Sequence, residues 1–339
     1  MVAWTRHRLP DGFTAAVVSS GTAANLAVVR GDTLPLVASR GADGRERRRA
    51  PDGAWFPVEV LAVDPAAYAA VVPGASSVVD VLADGSAILS ASSAEVRDVA
   101  DGATLVFAGG AEITVAAVVA DELIGAGEVV VSHRTGGALG VVTDKYVLAR
   151  PSHDRSELEA VVRTAAGAEP VRIRGVGEAP VLRHADSVLP PAQVKARFGE
   201  FAMREASGRD IEQDRDWVAA HIVTATVPIV GQVRCHRDFV PSLRGALAEV
   251  EERGLAHLVD RGDYAGCWSP RRAGEDGPLS HHAWGIAVDL NASVNRQGGA
   301  STQDPRLVQV MRRWGMAWGG EWLLPDPMHF EYLEPPPAG

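Results

Sequence analysis

Cysteine is scarce. Only Cys235 and Cys267 occur in 339 residues, and neither has a Cys-x-x-Cys neighbour, which argues against a thiolate zinc site. The pair is compatible with one disulfide in an exported protein or with two reduced thiols. Long apolar runs are also missing. Phe13 to Val29 is interrupted by Ser19, Ser20, Gly21 and Asn25, so no stretch approaches the roughly 18 to 20 apolar residues that cross a bilayer. The start of the chain lacks the basic, apolar, small-residue order of a secretory signal. Positive charge is in deficit, with 33 Lys and Arg against 43 Asp and Glu and a net charge of -10. That balance repels nucleic acid and anionic lipid. The only basic run, Arg45 to Arg49, lies between Gly44 and Pro51 and reads as an exposed loop.

What remains is a globular composition, 46% hydrophobic and 22% charged, in a chain long enough for two domains of roughly 150 to 200 residues. From Thr14 to about Arg150, Val- and Ala-rich segments are broken by turn signals such as Asp84-Gly85, Asp101-Gly102 and Gly109-Gly110. Alternating runs, Ser77 to Leu82, Ala103 to Phe107 and Glu128 to Ser132, predict short strands. Ser156 to Ala166 has helical spacing, and Val171 to Arg174 alternates as a strand. Ser187 to Pro191 is the expected boundary, because a Pro-Pro step neither continues a helix nor pairs readily in a sheet. Beyond it, Pro241 and Asp304-Pro305 open helices stopped by Gly254 and Gly315. The expected fold class is α+β: a β-rich domain over residues 1–188, then a small antiparallel sheet flanked by helices over residues 192–335.

Two segments carry chemistry. In Ser280-His281-His282-Ala283-Trp284-Gly285-Ile286-Ala287-Val288-Asp289, Gly285 permits a bend into a strand. Ile286 and Val288 then face a core while Ala287 and Asp289 face the other way. In Asp326-Pro327-Met328-His329-Phe330-Glu331-Tyr332 the same alternation sets His329 and Glu331 opposite Met328, Phe330 and Tyr332. Three N/O donors with one open position are the usual form of a catalytic zinc site.

This pattern closely resembles the zinc D-alanyl-D-alanine carboxypeptidase family, which includes VanY-type enzymes and the L-alanyl-D-glutamate peptidases of phage endolysins. The family signature, Ser-x-His-x-x-Gly-x-Ala-x-Asp with a later acid three residues before a final His, is matched by Ser280, His282, Gly285, Ala287, Asp289, Asp326 and His329. The resemblance covers about residues 222–333. It implies Zn2+ ligation by His282, Asp289 and His329, with Asp326 as catalytic acid and base, a shorter carboxylate than the Glu of some branches. His281 falls on a variable position and is read as a bystander. Tyr264 to Arg272 resembles the segment bearing a substrate-facing arginine, with Arg271 at the matching position and Arg272 as fallback. Trp314, Trp318 and Trp322 could wall the cleft or simply pack a core.

The resemblance implies an extracytoplasmic hydrolase of peptidoglycan stem peptides, cut beside a D-amino acid, with its export signal outside these residues. The expected activity is of D-alanyl-D-alanine carboxypeptidase type. An L-alanyl-D-glutamate endopeptidase is the nearer alternative, and a non-catalytic wall-binding module with zinc the alternative of another class. The first half resembles the extracytoplasmic domains of bacterial export permeases, a likeness carried by no motif.

Overall fold

The structure is a computed structural model that describes residues 1–6, 8–76, 80–175, 178, 182, 189–274 and 277–335. Its contacts divide the chain into two compact units, the first reaching Ala202 and the second starting again at Met203. Both mix helices and strands, so the fold is α+β.

In the first unit ten strands form one sheet: β1 Val2–Thr5, β2 Ala23–Arg40, β3 Glu46–Arg49, β4 Phe56–Val63, β5 Ser86–Ser90, β6 Thr104–Phe107, β7 Glu112–Val119, β8 Val129–Ser132, β9 Asp144–Pro151 and β10 Val171–Arg174. The order runs β10-β1-β9-β2-β4-β8-β5-β7-β6, and β6 returns to pair with the far end of β2. β2 is 18 residues long, enough to serve both ends of that path, so β2, β4, β8, β5, β7 and β6 close into a ring. Inside lies a core that includes Val58, Val60, Leu89, Leu105, Val115 and Val131. A second core, with Phe13, Val17, Val147, Leu158 and Val162, packs the helices Phe13–Ser19 and Arg155–Ala166 against the sheet. Closure removes the edges of the six ring strands, while β10 and β3 remain at the margins of the sheet.

Two expectations change. The basic run is not a loop: Glu46–Arg49 forms β3 against Ala38 to Arg40, because Gly41 to Gly44 closes a tight turn and returns the chain as a hairpin. Its side chains remain largely at the surface, where Arg49 pairs with Glu46 and Arg48 lies over the Phe56 ring. The Pro190-Pro191 pair does not separate the units, since Pro191 opens a helix, Pro191–Phe198, that belongs to the first one. Ser187 and Val188 lie outside the described residues, as do Ser77 to Val79 of the first alternating run.

Buried charge holds that helix. Lys195 Nζ donates to Glu128 Oε1 at 2.8 Å and lies 3.3 Å from Glu200. Arg97 Nη2 donates to Glu128 at 2.6 Å and to Glu200 at 3.0 Å. Two cations and two carboxylates thus cancel in the interior. Burial pushes the Glu128 carboxyl up, but Lys195 and Arg97 outweigh it and hold the group below the usual carboxylate range.

The second unit has three small sheets: β11 Met203–Glu205 with β12 Ile211–Gln213, β13 Ile222–Val227 with β14 Gly231–His236, and β15 Ala287–Asp289, β17 His329–Tyr332 and β16 Met316–Trp318 side by side. All three are antiparallel. The helices Val240–Glu252 and Pro305–Arg313 contribute Leu243, Leu247 and Val250, and Leu307, Val310 and Met311, to its core. Pro241 and Pro305 each stand in the first turn of their helix, where no backbone donor is lost. Cys235 of β14 is disulfide-bonded to Cys267, with Cα atoms 5.5 Å apart.

Removing one member of the buried cluster strands the others. Lys195→Met is expected to destabilise the first unit by about 3 to 5 kcal/mol, read from denaturant unfolding. Because the folded Glu128 pKa is depressed, its contribution is full above the unfolded value of about 4.3 and disappears as pH falls through the folded value. Acid should therefore weaken the parent protein more than Glu128→Gln. A pH-independent difference between them would refute this.

Candidate metal centre

The centre is built by strand register. β15 and β17 pair with Asp289 directly opposite His329 and Ala287 opposite Glu331. His282 enters from the short turn His281–Trp284, closed by Gly285 in the left-handed region at φ 68°. A Cβ there would also stand 2.7 Å from the His236 nitrogen, so glycine meets both a conformational and a spatial demand. Register and turn bring His282 Nε2 within 3.1 Å of Asp289 Oδ2, His329 Nδ1 within 3.1 Å of Asp289 Oδ1, and the two imidazole nitrogens within 3.2 Å of each other. All three residues are buried.

Each donor is oriented from behind. His282 Nδ1 donates to the Cys267 carbonyl at 2.7 Å, which leaves Nε2 unprotonated toward the centre. His329 Nε2 donates to Glu331 Oε2 at 3.1 Å, leaving Nδ1 for the centre. The same Glu331 oxygen accepts from His281 Nδ1 at 2.9 Å. His281, read from sequence as a bystander, thus shares the carboxylate that orients His329. The role of Glu331 was missed, although the alternation of its strand already set it on the face of His329.

Charge accumulates accordingly. Burial pushes the Asp289 carboxyl up, but the His282 and His329 imidazoles beside it hold it far below the carboxylate range. Burial likewise pushes Glu331 up, and the charge and hydrogen bond of His281, with those of His329, outweigh it. His329 is lowered by burial and raised more by Asp289 and Glu331, to about 10. His282 is lowered, by burial first. Two buried carboxylates therefore call for positive charge between the imidazoles.

A metal ion answers that demand, and the donors suit zinc. For Zn–N and Zn–O bonds of about 2.0 to 2.1 Å, adjacent tetrahedral ligands stand roughly 3.3 Å apart; here the two imidazole nitrogens are 3.2 Å apart and each lies 3.1 Å from one of the two Asp289 oxygens. Nitrogen and oxygen donors without thiolate suit a zinc ion with an open position, and a carboxylate behind a ligand histidine is the usual support for such a donor.

Asp326 is buried, and its Oδ1 has no hydrogen-bond partner among the described residues. Burial raises its pKa to about 6 despite His329 and Arg271. Gly319 lets it approach: a Cβ on Gly319 would lie 3.2 Å from both the Asp326 and the His329 Cβ. Arg271 Nη2 is 3.8 Å from Asp289 Oδ2, with a quarter of its side chain exposed. Its segment runs beside β15, with Ala265 donating to the Asp289 carbonyl and Ser269 to that of His282. Arg272 turns away to Glu205 and the Gly277 carbonyl. Of the three tryptophans, the Trp322 ring lies 5.0 Å from that of His329, while Trp318 and Trp314 donate to the Pro327 carbonyl and to Glu249. Tyr264, whose position near Asp289 the sequence did not reveal, is raised to about 12 by burial and then by that charge, so its hydroxyl stays protonated.

Three N/O donors able to hold a metal ion, a carboxyl with a free oxygen and a partly exposed arginine thus lie in one place. Residues 273–332, which contain all three donors and Asp326, match the D-alanyl-D-alanine carboxypeptidase family model. No curated protein matches the chain. Among solved structures, the periplasmic region of MacB from Actinobacillus actinomycetemcomitans is similar with a TM-score of 0.33 and 9% identity, over 50% of this chain and 86% of that one.

If Glu331 orients a ligand, Glu331→Gln should weaken zinc binding by about 10- to 100-fold in competition with a chromogenic chelator. Loss of a second donor to that carboxylate in His281→Gln should give a smaller effect in the same direction. Unaltered affinity in Glu331→Gln would remove it from the support of His329.

Proposed function

We propose that the second unit is a zinc-dependent peptidase that cleaves peptidoglycan stem peptides beside a D-amino acid, as a D-alanyl-D-alanine carboxypeptidase. The observation that carries this reading is Asp326, a buried carboxyl with a free oxygen, subject to the charges of His329, Asp289 and Arg271 and inside the stretch that matches the family. His282, Asp289 and His329 would hold the ion. When bound, zinc supplies Lewis acidity, bringing the pKa of water toward neutrality and polarising the scissile carbonyl.

The remaining work falls to the chain. Asp326 accepts the proton of the attacking water on its free oxygen and returns it to the leaving amine. No covalent enzyme intermediate is required. Arg271 offers paired N–H donors to the terminal carboxylate of the substrate or to the oxyanion that develops at the cleaved carbonyl. The small Ala287 side chain beside Asp289 leaves room for approach, and the buried Phe330, Ile286 and Leu290 keep the neighbourhood dry. Dryness strengthens each of these polar contacts. An extracytoplasmic location suits the Cys235–Cys267 disulfide and a wall substrate.

Defined muropeptides incubated with zinc-loaded protein should lose a terminal D-alanine by mass spectrometry, with activity abolished by chelation and restored by zinc. In Asp326→Asn, zinc should remain bound while turnover falls by about 10²- to 10⁴-fold. Undiminished cleavage in that variant would remove Asp326 from proton transfer, and release of an internal fragment instead of D-alanine would make the enzyme an endopeptidase.

A further inference from the structure

A cleft of about 390 Å³ opens in the second unit between the start of the helix Arg215–His221, β13 and β14, and the segment that leads to Arg271. Val218, Ile222 and Pro270 give it apolar walls, Arg215, Arg234, Gln213 and Trp268 give it polar ones, and none of its lining residues is acidic. In a chain of net charge -10, two guanidinium groups without a carboxylate are unusual company. Neither Arg215 nor Arg234 forms an ion pair among the described residues.

Arg234, exposed at the cleft, is stacked: its Cζ lies 4.0 Å from the centroid of the Trp268 ring, so one face of the guanidinium is covered. Trp268 is held in turn, its Nε1 donating to Gln213 Oε1 at 3.0 Å, while Gln213 Nε2 donates to the Ala283 carbonyl at 2.7 Å. Ala283 follows His282. Trp268 follows Cys267, whose carbonyl orients His282, and Pro270 precedes Arg271. The cleft wall is therefore joined to the metal centre at three places along the chain, Ala283 next to His282, Trp268 next to Cys267 and Pro270 next to Arg271. An arginine stacked so that its edge is presented is arranged for bidentate pairing with a planar anion.

We propose that this cleft is a subsite for a carboxylate-bearing residue of the substrate peptide, away from the scissile bond, with Arg215 and Arg234 as its specificity determinants. The proposal rests on the peptidase reading for the identity of the peptide. It does not depend on turnover for its test. Binding energy gathered at such a subsite would favour stem peptides whose glutamate carboxylate is free over those in which it is amidated.

Two stem pentapeptides that differ only at that group, free carboxylate in one and carboxamide in the other, are titrated calorimetrically into the full chain carrying Asp326→Asn, which leaves them uncut. The acid should bind roughly tenfold or more tightly, and the advantage should shrink with added salt. Adding Arg215→Gln and Arg234→Gln should erase the difference while affinity for the carboxamide stays the same, and that unchanged affinity shows that the variant is folded. Arg215→Gln alone, at an exposed position, should remove part of the difference without touching the Trp268 stack. Equal affinities in the parent, or an advantage that survives both substitutions, would overturn the proposal. Failure of the peptidase reading shows separately, as metal-loaded parent protein that leaves both peptides intact.

Discussion

The chemistry of the second unit depends on one cross-strand pair, Asp289 opposite His329. Directly opposed residues of an antiparallel pair bring their Cβ atoms to about 5 Å, which is close enough for a carboxylate and an imidazole to share a small cation. A slip of one residue would turn both side chains to the other face of the sheet. The apolar partners prevent that slip, since Val288 and Phe330 are fully buried opposite each other. Core packing thus holds the polar face in register, and only His282 has to be brought in from a turn.

The two units bury charge in opposite ways. Arg97, Lys195, Glu128 and Glu200 sum to zero and bind one helix to a closed sheet. Around Asp289 and Glu331 the balance is incomplete without a proton on His329 or a metal ion, and a carboxyl oxygen of Asp326 is left without a partner. A structural cluster gains by cancelling its own charge, whereas a site able to take a cation stays short of positive charge until the ion arrives. That distinction, rather than the number of charged groups, separates the interior network of the first unit from the functional centre of the second.

Much of this was legible beforehand because it is local. The strand Val171–Arg174, the helices opened by Pro241 and Pro305, and the sides on which Asp289 and His329 stand all follow from periodicity and from proline's missing donor. Closure of the β-rich unit was not legible, because β6 meets β2 across more than sixty residues and only the 18-residue length of β2 allows it. Nor was the fate of the Pro190-Pro191 pair, since the ion cluster that keeps the following helix in the first unit joins residues far apart in the chain. At the site, a donor's identity could be read from its motif, but its orientation could not. The Cys267 carbonyl behind His282 carries no side-chain signal at all.

That carbonyl shows how the parts of the site constrain one another. Cys267 is fastened to β14 by its disulfide, its backbone orients His282, and four residues later the same segment delivers Arg271 beside Asp289. Trp268, between them, faces the cleft with Arg234 stacked upon it. A single extended stretch therefore orients His282, places Arg271 beside Asp289 and lines the neighbouring cleft. Its position is held on one side by β15 and on the other by a covalent bond to the hairpin. Pre-organisation of this kind lowers the cost of ordering at the moment of binding, because the backbone entropy was already given up in folding.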